Sequence, residues 1–216
     1  MATTAGVSPS PHRRSSSGLL FSLVVIAGLA LLAIGWAVSS YNRLVSADQE
    51  VRSSWAQVEN AYQRRADLVP NLVETVKGAA RFEQKTFIDV TEARARVGQV
   101  SQGELSKALE NPEAFQRFQQ AQQGLGASLS RLLAVSEAYP DLKATANFRE
   151  LQAQLEGTEN RIAVERMRFN ESARDYNTLI SRFPTVFLAR AFSDRFTARP
   201  YFEATPDAQK APAVRF

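Results

Sequence analysis

Ten charged or amide side chains, in two blocks of the sequence, have the types and spacing that could support chemistry or binding. The first block contributes Arg64, Arg65, Asp67, Asn71 and Glu74, and the second contributes Glu159, Asn160, Arg161, Glu165 and Arg166. Carboxylates at helical spacing could perform acid–base or metal chemistry, and arginines are enriched at the centres of protein interfaces. Each residue also has a structural interpretation, in which carboxylates cap helices and buried charges pair with their neighbours.

The composition argues against an enzyme. The 216 residues include no cysteine and one histidine, His12. A thiolate metal site and a histidine-assisted nucleophile therefore have no residues to form them. Pairs of carboxylates such as Glu156 with Glu159 lie among arginines that would pair with them. We predict no catalytic residue, no metal site and no cofactor.

The charge pattern argues against nucleic acid as a partner. The formal charge is +4, but residues 1–40 contain Arg13 and Arg14 and no acid, and the remainder holds 24 basic and 22 acidic residues. A nucleic-acid-binding protein needs a concentrated basic face, whereas both signs are interspersed here. We expect no nucleic-acid partner.

An apolar segment precedes the polar blocks. Gly18–Val38 has no charge in 21 positions, and as a helix it would span roughly 32 Å, close to a hydrocarbon core of about 30 Å. The first 17 residues, rich in serine and proline, are predicted to be disordered. A cleaved signal peptide is the competing interpretation, but its apolar region is usually about 7–15 residues long. We therefore favour a single transmembrane anchor.

The orientation of that anchor rests on the charges around it. Arg13 and Arg14 precede the segment, and Arg43 and Arg52 follow it, so the counts of flanking arginines are equal. The first pair has no acid nearby, which favours a cytoplasmic tail and an extracytoplasmic remainder.

Beyond the anchor, apolar residues recur at helical spacing in four segments, which predicts an all-α fold, an antiparallel four-helix bundle. The helices are expected at about 41–66, 68–97, 111–139 and 147–183, with 185–216 as an extension packed on the bundle. In the fourth helix, aromatic and aliphatic residues recur every seven positions: Phe148, Leu155, Ile162, Phe169, Tyr176 and Phe183.

The first reversal of the chain is predicted at Asp67. Pro70 lacks the N–H that an interior helical position needs, and it disfavours helical geometry at the residue before it. Asp67 can cap a new helix that has Pro70 in its first turn. One long kinked helix is the alternative, since the apolar register continues through Leu72 and Val76. We favour the reversal because it yields helices of ~40–50 Å, similar to the later ones.

Two later helix starts have local signals. Asn111 before Pro112 predicts a cap with proline in the first turn, and Asn147 with Glu150 resembles a capping box. Residues 98–109 are polar and contain two glycines, which predicts a connection between helices.

Three charged residues fall on the apolar seams. Asp48 and Arg65 interrupt the seam of the first helix, and Glu165 interrupts a companion row of the fourth. Polar residues at such positions commonly fix the register of helix bundles, which is the interpretation we favour.

Three stretches of the sequence are similar to the LemA family of bacterial membrane proteins. They are YNRLVSADQEVRSSWAQVENAYQRRADLVPNLVETVKGAARFE, YPDLKATANFRELQAQLEGTENRIAVERMRFNESARDYNTLISRFP and the closing APAVRF. The resemblance covers most of 41–216. It implies a four-helix bundle on a single span of a bacterial inner membrane, and it implies no enzymatic activity.

We expect a membrane-anchored, non-enzymatic scaffold or protein-interaction module of the cell envelope. Its partners would be the membrane and an unknown protein, with self-association as a further candidate. The alternative is a sensor-like domain that binds a small molecule or peptide between its helices. An envelope hydrolase would depend on Glu165 or Glu74, and we do not expect one.

Overall fold

A computed structural model describes residues 16–79, 84–104 and 107–203, in which the regular structure is all helical and no strand occurs. The chain divides into two compact units, Met1–Asn42 and Arg43–Phe216, and the second is called the helical unit below. The helices are α1 (Ser16–Ala79), α2 (Gln84–Glu104), α3 (Pro112–Ser136), α4 (Pro140–Lys143), α5 (Ala146–Ser181) and α6 (Thr185–Ala191).

The apolar start of α1 is long and apolar enough to cross a membrane, with a mean hydropathy of 2.5 over its most apolar window. Its large side chains are exposed, among them Phe21 at 72% and Leu32 at 72%. A helix apolar on all sides needs an apolar surrounding, and lipid provides one. This segment therefore supports a membrane location. Of the tail predicted to be disordered, residues 1–15 lie outside the described residues. Its last two residues, 16 and 17, belong to α1, which begins at Ser16.

The reversal predicted at Asp67 is wrong, because α1 continues through Pro70 to Ala79. The alternative of one helix through the proline is the observed one. Leu68, Val69 and Leu72 are buried on either side of Pro70. Each such side chain contributes about 1.5–3 kcal/mol on burial, which together outweighs the ~3 kcal/mol that an interior proline costs. The unfavourable helix propensity of Pro70 is thus outweighed by the burial of the apolar residues around it.

The expected helices at 41–66 and 68–97 are accordingly replaced by α1 and α2. Residues 80–83, between these two helices, lie outside the described residues. The connection predicted at 98–109 is also wrong in its first part, because α2 runs through Gly98 to Glu104.

The later helix starts agree with the sequence more closely. Asn111 caps α3, accepting hydrogen bonds from the backbone N–H groups of Glu113 and Ala114. At α5 the cap is Thr145, whose hydroxyl accepts from the Phe148 N–H, so the capping box predicted from Asn147 is wrong. Threonine caps helices almost as well as asparagine, and the chain enters the helix two residues earlier.

Side-chain contacts define how α1 packs within the helical unit. Against α5 it runs antiparallel, with the Ser54 and Ser172 hydroxyl oxygens 2.6 Å apart and Arg65 Nη1 3.0 Å from Glu159 Oε1. Against α3 it runs in the same direction, since Trp55 packs on Phe115 while Arg65 reaches Gln122.

Apolar side chains of α1, α2, α3 and α5 meet in one core cluster. It includes Val69, Leu72, Val76, Phe87, Val90, Leu125, Leu129, Leu132, Phe148 and Leu155. This core fixes the relative positions of α1, α3 and α5, which carry the polar networks of the unit.

Candidate functional site

Arg65 is the centre of the first polar network, called the Arg65 network. It lies on α1 with 4% of its surface exposed. Its Nη2 donates to the side-chain oxygen of Gln122 at 2.6 Å and to the Gln122 carbonyl at 2.9 Å. Its Nη1 donates to both carboxylate oxygens of Glu159, at 3.0 and 3.3 Å. One buried cation thus joins α1, α3 and α5.

The Arg65 guanidinium is also flanked by a ring. Its carbon lies 5.0 Å from the centre of the Tyr62 ring, one helical turn earlier, in a cation–π arrangement. Burial raises the pKa of Tyr62 above its ordinary value, so the ring stays neutral at physiological pH. The network therefore joins a buried guanidinium to Glu159, whose side chain is 46% exposed at the surface of the unit.

Glu165 is the buried carboxylate of α5. Its side chain is 6% exposed, and it accepts a hydrogen bond from Arg168 Nη1 at 3.3 Å while Arg161 Nε lies 3.9 Å away. Both arginines are mostly exposed and lie on the same helix. Glu165 is thus neutralised locally by side chains that reach in from the surface.

The remaining residues of the two blocks are dispersed over the surface of the unit. Arg64 donates to Gln154 at 3.3 Å, and Asp67 accepts from Gln63 at 2.7 Å. Glu74 lies 3.6 Å from Lys77. The Asn71 backbone carbonyl accepts a hydrogen bond from the Thr75 hydroxyl. Asn160 lines a cleft between α3 and α5, and Arg166 donates to the Glu203 carbonyl. The ten residues therefore do not converge on one pocket.

A second buried network is centred on Arg199, which the sequence analysis did not single out. Its side chain is fully buried, and its Nη2 lies 2.5 Å from Asp48 Oδ1. Its Nη1 donates to the Leu109 carbonyl at 3.1 Å, and Tyr176 lies beneath the guanidinium. Arg52 Nε binds the other Asp48 oxygen at 2.9 Å. This Arg199 network joins α1, the turn before α3, α5 and the chain after α6.

The chain around Arg199 is held by two asparagines of α5. Asn177 donates to the Arg199 carbonyl at 2.9 Å and accepts from the Arg199 N–H at 2.8 Å. Asn170 makes the same pair of bonds with Phe202, both at 2.8 Å. Seven helical residues rise about 10.5 Å, and three extended residues span about 10 Å, so the two spacings match. We call this pair of asparagines the amide clamp.

Phe202 anchors the clamped segment in an aromatic pocket. Its ring centre lies 4.8 Å from Phe115, 5.5 Å from Phe169 and 6.0 Å from Trp55. Arg166 covers the outer face of the ring at 4.8 Å. Trp55 and Phe169 are thus core residues that also receive a side chain from an extended segment.

One signal in the sequence could have indicated the Arg199 network. Asp48 interrupts an apolar seam, and a buried carboxylate requires a cation or several donors. The cation is 151 residues away along the chain, so no local pattern identifies it. Asn170 and Asn177 follow Phe169 and Tyr176 of the seven-residue row, but their partners are backbone groups, which carry no sequence signal.

These features describe a helical protein with a membrane-compatible segment, two buried charge networks and a clamped extended segment. Comparison with known proteins places it in a family. The LemA family model matches residues 54–216, and the chain belongs to the LemA family.

Three relatives are magnetosome proteins. The chain is 28% identical over 209 residues to magnetosome proteins MamQ 1 and MamQ 2 of Paramagnetospirillum magneticum, covering 90% of this chain and 76% of each relative. It is 29% identical over 209 residues to magnetosome protein MamQ of Magnetospirillum gryphiswaldense, again covering 90% of this chain and 76% of the relative.

Proposed function

We propose that this protein is a single-pass, membrane-anchored scaffold or protein-interaction module of the bacterial cell envelope, without enzymatic activity. Its interacting part is an antiparallel four-helix bundle on the extracytoplasmic side, built from α1 beyond Arg43, α2, α3 and α5. The pairwise contacts of α1 with α3 and α5 support this bundle. Similarity to magnetosome proteins supports a role in a cellular structure rather than in metabolism.

The amide clamp is the observation that carries the proposal. Reciprocal bonds from an asparagine to one residue's N–H and C=O recognise the backbone itself, whatever the side chain is. Asn170 and Asn177 therefore form a receptor for an extended chain on the surface of α5. Main-chain bonds supply affinity and side-chain pockets supply specificity in such recognition.

Two pockets give this receptor a sequence preference. Asp48 at one end selects a buried arginine, and the aromatic pocket of Trp55, Phe115 and Phe169 selects a phenylalanine three residues later. Arg199 and Phe202 of the chain itself meet both requirements. A scaffold of this kind would hold an extended Arg-x-x-Phe segment, either its own or one from another protein.

The test is binding of a free peptide to an opened clamp. In the full chain, reconstituted in nanodiscs, Arg199→Ala with Phe202→Ala removes both side-chain anchors of the internal segment, so that only its backbone bonds compete with an added peptide. We expect a fluorescent peptide covering 198–203 to bind this variant, and to bind the unaltered chain far more weakly. A control peptide with alanine in place of its arginine and phenylalanine should not bind either chain.

Adding Asn170→Ala and Asn177→Ala to the opened chain should abolish peptide binding. Circular dichroism is used to check that each variant remains helical. If the double substitution unfolds the protein, the single variant Phe202→Ala replaces it in the binding experiment. Equal binding with and without the asparagines would show that the clamp is not the interaction site and would overturn the proposal.

A second candidate is a sensor that binds a small molecule, and one cleft favours it. Between α3 and α5 lies a space of about 470 Å³, lined by Leu129, Leu133 and Leu155 and by the carboxylates of Glu156 and Glu159. A cationic amphiphile would suit this lining, and it would compete with Arg65 for Glu159. Such a ligand should stabilise the fold by about 2.7 kcal/mol at one hundred times its Kd. Absence of any thermal shift across a panel of cationic amphiphiles would remove this candidate.

A further inference from the structure

The exposed phenylalanines of the helical unit are concentrated in one short stretch. Among its described residues, Phe183, Phe187 and Phe192 are 75%, 61% and 47% exposed, and every other phenylalanine is buried. Phe183 and Phe187 contact each other, with ring centres 5.9 Å apart. Large exposed aromatic side chains that cluster on a surface mark a site of interaction.

This stretch lies at the end of the unit where the chain leads to the apolar segment. Ser172 of α5 pairs with Ser54 of α1, and the two helices run antiparallel. Nine residues further along α5, Ser181 is therefore about level with the position nine residues before Ser54 on α1. The phenylalanines that follow Ser181 are accordingly about level with Arg43, the first residue of the unit, along the helix axes.

Chain connectivity keeps that end close to the bilayer. Arg43 follows Val38, the last residue of the apolar segment, by five positions. Five residues reach at most about 18 Å even when fully extended, whatever the direction they take. The lipid headgroup region adds about 5–8 Å beyond the hydrocarbon on each side, so the aromatic stretch is tethered within reach of it.

The charges around the phenylalanines are those that a lipid surface favours. Arg182, Arg190 and Arg195 lie within or next to the stretch, against one acid, Asp194, and Arg43 is at about the same level of the unit. Arg182 and Arg190 are exposed. Basic residues are attracted to an anionic membrane surface, and aromatic residues prefer the membrane interface.

We propose that Phe183, Phe187 and Phe192, with the surrounding arginines, form a second membrane contact, which binds the headgroup region of anionic lipid beside the anchor. This inference rests on the membrane anchoring of the proposed function and is independent of the clamp. The contact would hold the helical unit to the bilayer surface in addition to the anchor.

The experiment uses the absence of cysteine from the chain, which makes a single introduced cysteine a unique labelling site. Ser193→Cys, next to Phe192, carries an environment-sensitive fluorophore at the proposed contact. Ser130→Cys on α3 is the matched control, since it is an exposed serine. Gln122 contacts Arg65, so Ser130 is about level with position 73 of α1, roughly 45 Å of helix from Arg43.

Each labelled full-length chain is reconstituted in phosphatidylcholine vesicles with or without phosphatidylglycerol. Lipids with a spin label just below the headgroup then quench any fluorophore at that depth. We expect several-fold stronger quenching at Ser193→Cys than at Ser130→Cys, and weaker quenching at position 193 when phosphatidylglycerol is omitted. Phe183→Ser with Phe187→Ser should reduce the signal at position 193 to that of the control.

The possible failures can be told apart. If the chain does not float with the vesicles, the anchoring fails and this contact fails with it. If it floats but positions 193 and 130 are quenched equally, the contact alone is refuted. Unchanged quenching in the phenylalanine double variant, with helicity preserved by circular dichroism, would also refute it. Quenching that is indifferent to phosphatidylglycerol would refute the role of the arginines and of anionic lipid.

Discussion

Arg199→Met is the substitution that tests the buried charge pair most directly. Methionine keeps much of the volume of the side chain and removes its charge and donors. Asp48 would then keep one partner, Arg52, at 2.9 Å, while its side chain stays 6% exposed. The Leu109 carbonyl would lose its donor as well. Breaking a buried pair by removing one partner costs about 3–5 kcal/mol, and we expect a loss in that range.

A matched control separates burial from charge. Arg174 on α5 lies 3.8 Å from Glu171, and both side chains are 65% exposed. Exposed pairs of this kind contribute about 0–1 kcal/mol. Arg174→Met should therefore leave the free energy of unfolding nearly unchanged, although it makes the same chemical change.

Urea unfolding of the full chain in nanodiscs measures both variants. In a Trp36→Phe background Trp55 is the remaining tryptophan, and it reports on the core because it is 4% exposed and packs on Phe202. With a slope of roughly 2 kcal/mol per molar urea, Arg199→Met should lower the midpoint by about 1.5–2.5 M.

The reasoning is refuted if Arg199→Met and Arg174→Met differ by less than about 1 kcal/mol. A double-mutant cycle with Asp48→Asn gives a further check. Because the two side chains are in direct contact, the double variant should lose less stability than the sum of the single variants, by about 0.5–3 kcal/mol. Additive losses would show that the two residues act separately.

Three further predictions concern α1. Arg65→Met should cost about 2–4 kcal/mol, because it removes the donor to the buried Gln122 side chain and the partner of Glu159, whereas Arg64→Met should cost under about 1 kcal/mol, as judged by the same urea titration. Pro70→Ala should stabilise the fold by about 1–3 kcal/mol, since alanine restores a helical hydrogen bond; a loss of stability would favour a helix start at this position instead. Burial raises the pKa of Glu59, so the folded protein binds this proton more tightly than the unfolded chain does. The protonated Glu59 therefore favours folding at low pH, and this contribution is lost as pH rises through the folded-state pKa. Glu59→Gln should therefore stabilise the protein at pH 7 by under about 1 kcal/mol and lose this advantage near pH 4; equal effects at both pH values would contradict the assignment.

Local patterns in the sequence were sufficient for the helical class and for several helix ends. The seven-residue row from Phe148 to Phe183 predicted a helix that the structure has as α5, because one buried face is enough to specify a helix. The last member of the row does not follow the prediction, because α5 ends at Ser181 and Phe183 is 75% exposed. The cap at Asn111 followed from the residue types alone. Such features depend on interactions over three or four residues.

The course of the chain around Pro70 required more than local preference. Proline and aspartate there indicate a helix start, while the apolar register indicates continuation. The burial of Leu68, Val69 and Leu72 decides between the two. Val69 and Leu72 lie in the core cluster with side chains of α2, α3 and α5, so their burial requires those helices to be packed. The sequence alone therefore indicated both alternatives but not which of them is correct.

By itself, the sequence determined an apolar segment of membrane length, an all-α chain and a family resemblance. The first two depend on composition and short periodicity, and the resemblance depends on the three stretches of sequence that carry it; none of them needs knowledge of the fold. The tertiary structure decided which polar residues act together: Arg65 with Gln122 and Glu159, and Asp48 with Arg199. A buried charge is stabilised by whichever partner the packing brings within about 3 Å, and residues that distant in the chain leave no local pattern. The amide clamp is decided in the same way, since its asparagines bind backbone groups whose positions exist only after the helices have packed.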